Sequence, residues 1–368
     1  MRCVYGSSTE IDIKKAATEA TKDIVNPKVI FYFSNEEHFA EYSLLIAGFY
    51  PDAIVMGATS YMCISGNGYA KYGLSVVSIE DGVDAVAGVI PEVSDDPLKY
   101  SNQVIEKYNQ LGKKDNNICI EFTNGLLAAE EKVVMALNSV LLYEGVQVFG
   151  GSAGSADLEH QTRVSYNGIV YDNACVYCIL HNESGPIHIY KENIYQPITG
   201  HKYQVTKADS ARRLVYEMDD RAALDIFQEE LNITSDQVEV ALQKYPWGKD
   251  IGDDGVFVIA NEKSTTDRGI SFFARVHGGT HMMVLESGDY KSITKATLEK
   301  IKSEVPNPSF ILVCHCEGRL KEFEGYNFVK EYSDLQCDMF GQFIGFSGYG
   351  EQVGTRHFNH MQTFAVFE

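Results

Sequence analysis

The chain has 368 residues, 45% hydrophobic and 22% charged, enough apolar material for two domains with buried cores and too much for a disordered chain. Its 31 basic and 51 acidic residues leave a formal charge of −20, and no long Lys/Arg cluster occurs. That balance argues against nucleic acid or an anionic membrane surface as the main partner.

The predicted elements run as follows. Residues 9–24 read as an amphipathic helix ended by Asn26-Pro27. A strand at 29–34, a helix at 36–48 and a strand at 53–56 form a first strand–helix–strand unit, which normally makes two parallel strands with a right-handed crossover. Residues 73–79 and 83–90 read as a hairpin turning at Glu80-Asp81-Gly82, and 92–111 as a helix. A strand at 118–122, a helix at 130–142 and a strand at 146–149 repeat the unit. Asn167-Gly168 is a two-residue hairpin turn, and 174–180 with 187–190 match the earlier hairpin.

Beyond residue 200 the pattern changes. Short strands at 203–205 and 213–217 precede a helix to residue 231, with Asp219 or Asp220 as its cap. A helix at 233–245, strands at 256–259, 270–276 and 282–285, and a helix at 291–304 follow. A third unit closes the chain: a strand at 309–315, a helix at 318–335, a strand at 342–346 and a last strand at 362–368. The fold class expected is mixed α/β (α+β): two lobes with mixed sheets flanked by helices, built on repeated β-α-β-β units. The expected domains are 1–198, holding two units, and 199–368, holding the third at 309–368.

Each unit ends in a strand that runs into glycine and serine: DAIVMGATS at 52–60, VQVFGGSAGS at 146–155 and GQFIGFSGYGE at 341–351. If these bends converge, their N–H groups suit a carboxylate or similar anion, with Gly151, Ser152, Ala153 and Ser347 as donors. Glycine and serine also simply let a strand turn sharply. At the end of FILVCHC, Cys316 and Arg319 join Glu351 as the polar set nearest such a site. The planar fork of Arg319 fits a carboxylate and Glu351 an amino group, so the pair suits an amino-acid zwitterion, unless the two bridge each other.

Other chemistry is less well supported. Strand alternation turns His315 away from Cys314 and Cys316, so it cannot act as their base. Cys175 and Cys178 fall on opposite faces of a strand, unlike a zinc knuckle, so neither metal nor catalytic residues are expected. No P-loop or GxSxG elbow occurs. The first residues, MRCVYGSSTEIDIKKAA, lack a signal-peptide core, and no run reaches the roughly 20 apolar residues of a membrane span. A cytoplasmic location without membrane insertion is expected, with the eight scattered cysteines as reduced thiols.

The order of segments resembles the FIST family, named for intracellular signal transduction. The resemblance is carried by IFYFSN then PDAIVMGATS and GLSVVSI, by GVQVFGGSAGS then TRVSYNGIVYDNACVYCIL, by PITGHKYQVTKADSARRLVYEMDDRAALDIFQEEL, and by ILVCHCEGRL then QFIGFSGYGEQ. It implies FIST N-terminal and C-terminal domains and a sensory role, binding a small ligand such as an amino acid. It further implies a separate signalling partner, such as a histidine kinase or chemoreceptor. A subset of the family binds haem and reports nitric oxide to a kinase. For that alternative the axial candidates are His201, His277, His281, His315, His357 and His360, with noncovalent haem since no Cys-x-x-Cys-His occurs. A thiol-dependent hydrolase or transferase is the alternative of another class.

Overall fold

The computed structural model describes residues 1–112, 114–252 and 255–368. The chain forms two compact units, one of residues 1–191, 295–357 and 362–368, the other of residues 192–294 and 358–361. No helix among the described residues is long and apolar enough to cross a membrane.

The larger unit holds three six-stranded sheets of identical strand order. The first runs Arg2–Ser8, Leu74–Asp81, Val29–Ser34, Ile54–Thr59, Val164–Tyr166, Ile169–Tyr171. The second runs Val83–Pro91, Ala174–Asn182, Asn117–Thr123, Gln147–Ser152, Glu351–Val353, Arg356–Phe358. The third runs Ile187–Glu192, Gln362–Phe367, Phe310–Cys316, Ile344–Gly348, Cys63–Ser65, Gly68–Ala70. At the centre of each lies the parallel pair of one strand–helix–strand unit, so all three units expected from sequence are present.

What joins the sheets differs from the local reading. The strands on either side of Glu80-Asp81-Gly82 are not a hairpin: Leu74–Asp81 belongs to the first sheet and Val83–Pro91 to the second. Ala174–Asn182 and Ile187–Glu192 likewise step from the second sheet to the third. A tight glycine turn serves a change of sheet as well as a hairpin, because it fixes only the reversal and not the partner.

The small hairpin after each glycine-ended strand also leaves its own sheet. Cys63–Ser65 pairs with Ile344–Gly348, Val164–Tyr166 with Ile54–Thr59, and Glu351–Val353 with Gln147–Ser152. The exchange is cyclic, so each sheet draws strands from distant parts of the chain. The Asn167-Gly168 turn forms as expected, with φ of 47° and 84°.

The inner faces of the three sheets share one core. At its middle Phe33, Phe122 and Phe346 meet with centroids 4.8 to 5.3 Å apart, one pair stacked and two edge-on. The outer faces lie under helices. Phe39–Phe49 helps cover the first sheet, Ser101–Leu111 and Glu130–Leu141 the second, and Glu317–Gly325 with Val329–Phe340 the third. The last two replace the single helix expected at 318–335. Asn327, at φ 54°, marks the break between them.

The smaller unit carries a nine-stranded sheet and the helices Ala223–Leu231 and Val238–Lys244 around buried Trp247. The Trp247 indole stacks on Phe227 at 6.0 Å. The cap expected at Asp219 or Asp220 does not form, because Ala222 is the N-cap residue. Both aspartates have positive φ, in the turn between Leu214–Met218 and Arg221–Ala222. The expected opening helix is shorter, Ile13–Thr21, and is preceded by the strand Arg2–Ser8.

Candidate functional site

The three glycine-ended bends do converge, but they fill the space between them. Gly154 N–H donates to the Thr59 carbonyl at 2.9 Å, Tyr61 N–H to the Ser347 carbonyl at 3.0 Å, and Tyr349 N–H to the Ser152 carbonyl at 3.3 Å. A Cβ on Gly348 would stand 1.7 Å from the Ser152 carbonyl oxygen, and one on Gly151 2.4 Å from Cys314 Sγ. These glycines are set by close packing of backbone on backbone.

Of the donors expected here, Ser152, Ala153 and Ser347 are engaged inside the protein. Ser152 N–H donates to Gly350 and Ala153 N–H to Thr123, at 2.9 and 2.8 Å. Ser347 N–H donates to Ser60 Oγ at 2.8 Å, while its own hydroxyl oxygen accepts from Met62 N–H. Gly151 lies opposite Glu351 in the second sheet, and Glu351 is fully buried. Cys316 is buried at the N-cap of the helix Glu317–Gly325.

Arg319 stands elsewhere, in a buried network on the outer face of the third sheet. His315 points outward and Cys314 inward to the core, as strand alternation requires. One helical turn on, Arg319 Nη1 donates to His315 Nε2 at 2.8 Å and to Gln362 Oε1 at 3.3 Å. Its guanidinium lies over the rings of Phe323 and Tyr332, at 4.6 and 5.3 Å. Gln362 sits directly across the ladder from His315. Burial pulls the His315 imidazole down to about 3. The ring is therefore neutral, with Nε2 the acceptor and the proton on Nδ1.

The network continues to the surface through the exchanged hairpin. Gln336 donates to the Tyr332 hydroxyl at 2.7 Å and to Gln362 Oε1 at 3.1 Å. Tyr69 Oη donates to Gln336 Oε1 at 2.9 Å and accepts from Gln362 Nε2 at 3.2 Å. Tyr69 also lines an open cleft of about 570 Å³ between that hairpin and the helix Val329–Phe340. Charges of both signs face it: Lys71 bonds Glu324, and Lys330 bonds Asp334, each at 2.5 Å.

The hairpins of all three sheets lie close against their covering helices. In the first, a Cβ on Gly168 would meet Ala47 Cβ at 3.3 Å; in the second, Asn138 Nδ2 donates to the Gly354 carbonyl at 2.8 Å. In the third, a Cβ on Gly68 would meet Ser333 Oγ at 3.1 Å, and Tyr69 N–H donates to the same hydroxyl at 3.1 Å.

Sequence reasoning singled out Arg319 for a ligand carboxylate and expected the outward turn of His315, and it missed Tyr69, Gln336 and Gln362. The only local signal for Tyr69 was the turn-like GNG before it, since a three-residue strand carries no readable period.

The alternative chemistries fit this site poorly. No histidine lines the cleft, and the buried His315 already gives its acceptor nitrogen to Arg319, so the donor set does not suit a haem iron. Burial pushes the Cys314 thiol well above its ordinary value, away from a reactive thiolate. Cys175 and Cys178 are buried in different clusters on the two faces of their strand.

No curated protein matches the chain. The FIST N domain matches residues 28–221 and the FIST C domain residues 223–354, the division falling just before the helix Ala223–Leu231. FIST domains are associated with signal-transduction sensing and are not known as enzymes. By matches that span nearly all of its length, and by three units in the expected order, the chain belongs to the FIST family.

Proposed function

We propose that this protein is a cytoplasmic sensor that binds a small zwitterion, such as an amino acid, in the cleft beside Tyr69 and reports its occupancy to a separate signalling protein of the histidine-kinase or chemoreceptor type. One observation carries the reading: Tyr69 borders the cleft and is hydrogen-bonded into the buried network that holds Arg319. A ligand that moves Tyr69 must change its bonds to Gln336 and Gln362, so the two positions of that ring bind ligand unequally. Unequal binding is what lets a ligand shift a conformational equilibrium. The Lys71–Glu324 and Lys330–Asp334 pairs supply partners of both signs for an ammonium and a carboxylate.

The test is a thermal-shift screen over the amino acids, on the wild type and on Lys71→Glu. A ligand at about 100 times its Kd stabilises the native state by about 2.7 kcal/mol, which reads as a clear rise in melting temperature. The expected result is a rise for a subset of amino acids that is lost in Lys71→Glu. Equal rises in both proteins, or no rise with any amino acid, would overturn the reading.

A further inference from the structure

In each sheet of the larger unit a glycine sits in one row between a residue of the first parallel strand and a residue of the exchanged hairpin. In the first sheet Gly57 lies between Tyr32 and Ser165. The Tyr32 ring occupies the space over the glycine, 2.3 Å from where a Cβ would be, and Tyr32 Oη bonds Ser165 Oγ at 2.5 Å. In the third sheet Val313 and Ile64 flank Gly345, and the bridge is apolar. In the second sheet the flanking residues are Glu121 and Gln352, on either side of Gly150.

Both second-sheet side chains are fully buried, and a Cβ on Gly150 would lie 2.9 Å from Glu121 Oε1. Glu121 Oε2 accepts from the Thr123 hydroxyl at 2.6 Å and the Cys175 thiol at 3.5 Å. Gln352 Nε2 reaches Ser152 Oγ at 3.1 Å and His357 Nδ1 at 3.0 Å. Two buried acceptors remain without a donor: Glu121 Oε1 and Gln352 Oε1. A carboxylate and an amide carbonyl brought together in a dry row repel, and a single proton between them satisfies both.

We infer that the second sheet contains a proton-binding site, in which the Glu121 carboxyl carries a hydrogen on Oε1 and donates it to Gln352 Oε1 across Gly150. It is the counterpart of the Tyr32–Ser165 bond in the first sheet, with a carboxyl in place of the phenol. The proton comes from solvent and returns to it. The titratable groups that face Glu121 are Cys119 of its own strand, Cys175 and Tyr177 of the neighbouring strand, and Glu130 of the covering helix. His357 faces it through Gln352. Burial, reinforced by the Glu130 charge, raises the Glu121 carboxyl to about 8. Above that pH the strand Glu351–Val353 faces a buried carboxylate instead of a donor. A sensor so built answers to alkaline pH independently of its cleft.

Infrared spectroscopy tests the inference. At pH 7 the wild type should show the C=O stretch of a protonated carboxylic acid, absent from Glu121→Gln and moved to higher frequency in Gln352→Leu, where the acceptor is gone. Between about pH 6 and 9 the wild-type melting temperature should fall by several degrees relative to Glu121→Gln. Should Glu121→Gln fail to fold, the pH-difference spectrum of the wild type alone decides. A wild-type band that disappears on raising the pH through about 5, the ordinary carboxyl range, would overturn the site. So would equal pH slopes in the two proteins.

Discussion

The Arg319 guanidinium donates to His315 Nε2 at 2.8 Å, so a permanently charged side chain is held in part by an imidazole that must stay neutral. In the folded protein burial keeps the His315 pKa at about 3, against 6.5 for the free side chain. Below pH 6.5 the unfolded chain takes a proton that the folded one refuses, so stability falls as pH drops from about 6.5 toward 3. The ceiling on this effect is about 5 kcal/mol. Urea midpoints at pH 5 and pH 7 should separate for the wild type and draw together for His315→Asn.

Arg319 itself tests whether shape or charge matters. Lysine keeps the charge but loses the rigidly placed Nη1 that bonds both His315 and Gln362, and the flat face over Phe323 and Tyr332. Arg319→Lys is expected to cost about 2–4 kcal/mol in a urea titration, near the cost of breaking a buried polar network. A loss under about 0.5 kcal/mol, the level of an ordinary surface change, would show that charge alone suffices.

The convergent bends make a sharper contrast. Gly348→Ala places a Cβ 1.7 Å from the Ser152 carbonyl and must push one sheet end away from another. The expected cost is about 3 kcal/mol or more. Gly48, inside the helix Phe39–Phe49, has nothing within 4 Å of the same atom. Gly48→Ala should raise stability by about 0.5–1 kcal/mol through helix propensity alone.

Fragments should fail as a class. Residues 1–222 contain both parallel pairs of the first two sheets but lack Glu351–Val353, which borders Gln147–Ser152, and lack Ile344–Gly348, against which Cys63–Ser65 pairs. Such a fragment is expected to show poor amide dispersion in NMR spectra and no cooperative melt. A sharp transition would show that the exchanged strands are dispensable.

The parallel pairs were legible because continuous apolar runs such as IFYFS and ICIEF, bounded by turn residues and a helical stretch, admit few other structures. Asn167-Gly168 was legible because both residues tolerate positive φ. Long-range partnership was not. Glu80-Asp81-Gly82 carries the same turn chemistry whether its flanking strands pair with each other or with strands far along the chain. Cys63–Ser65 and Gly68–Ala70 are too short for alternation to show. Within the site, Arg319 drew attention by residue type, while Gln336 and Gln362 matter only through neighbours that the fold supplies. Glu121 is a lone acid in an apolar run that the sequence reading passed over, and its role depends on Gly150 and Gln352 lying beside it.

The cyclic hand-off of hairpins bears on how the protein is made. A ribosome releases Cys63–Ala70 long before it delivers the strand Ile344–Gly348 that this hairpin completes. Until then a ribbon with unmet backbone groups waits in the cell, where neighbouring polysomes offer it identical edges. Faithful biogenesis therefore depends on shielding that ribbon, and overproduction would expose the dependence as aggregates seeded by half-made chains rather than by finished ones.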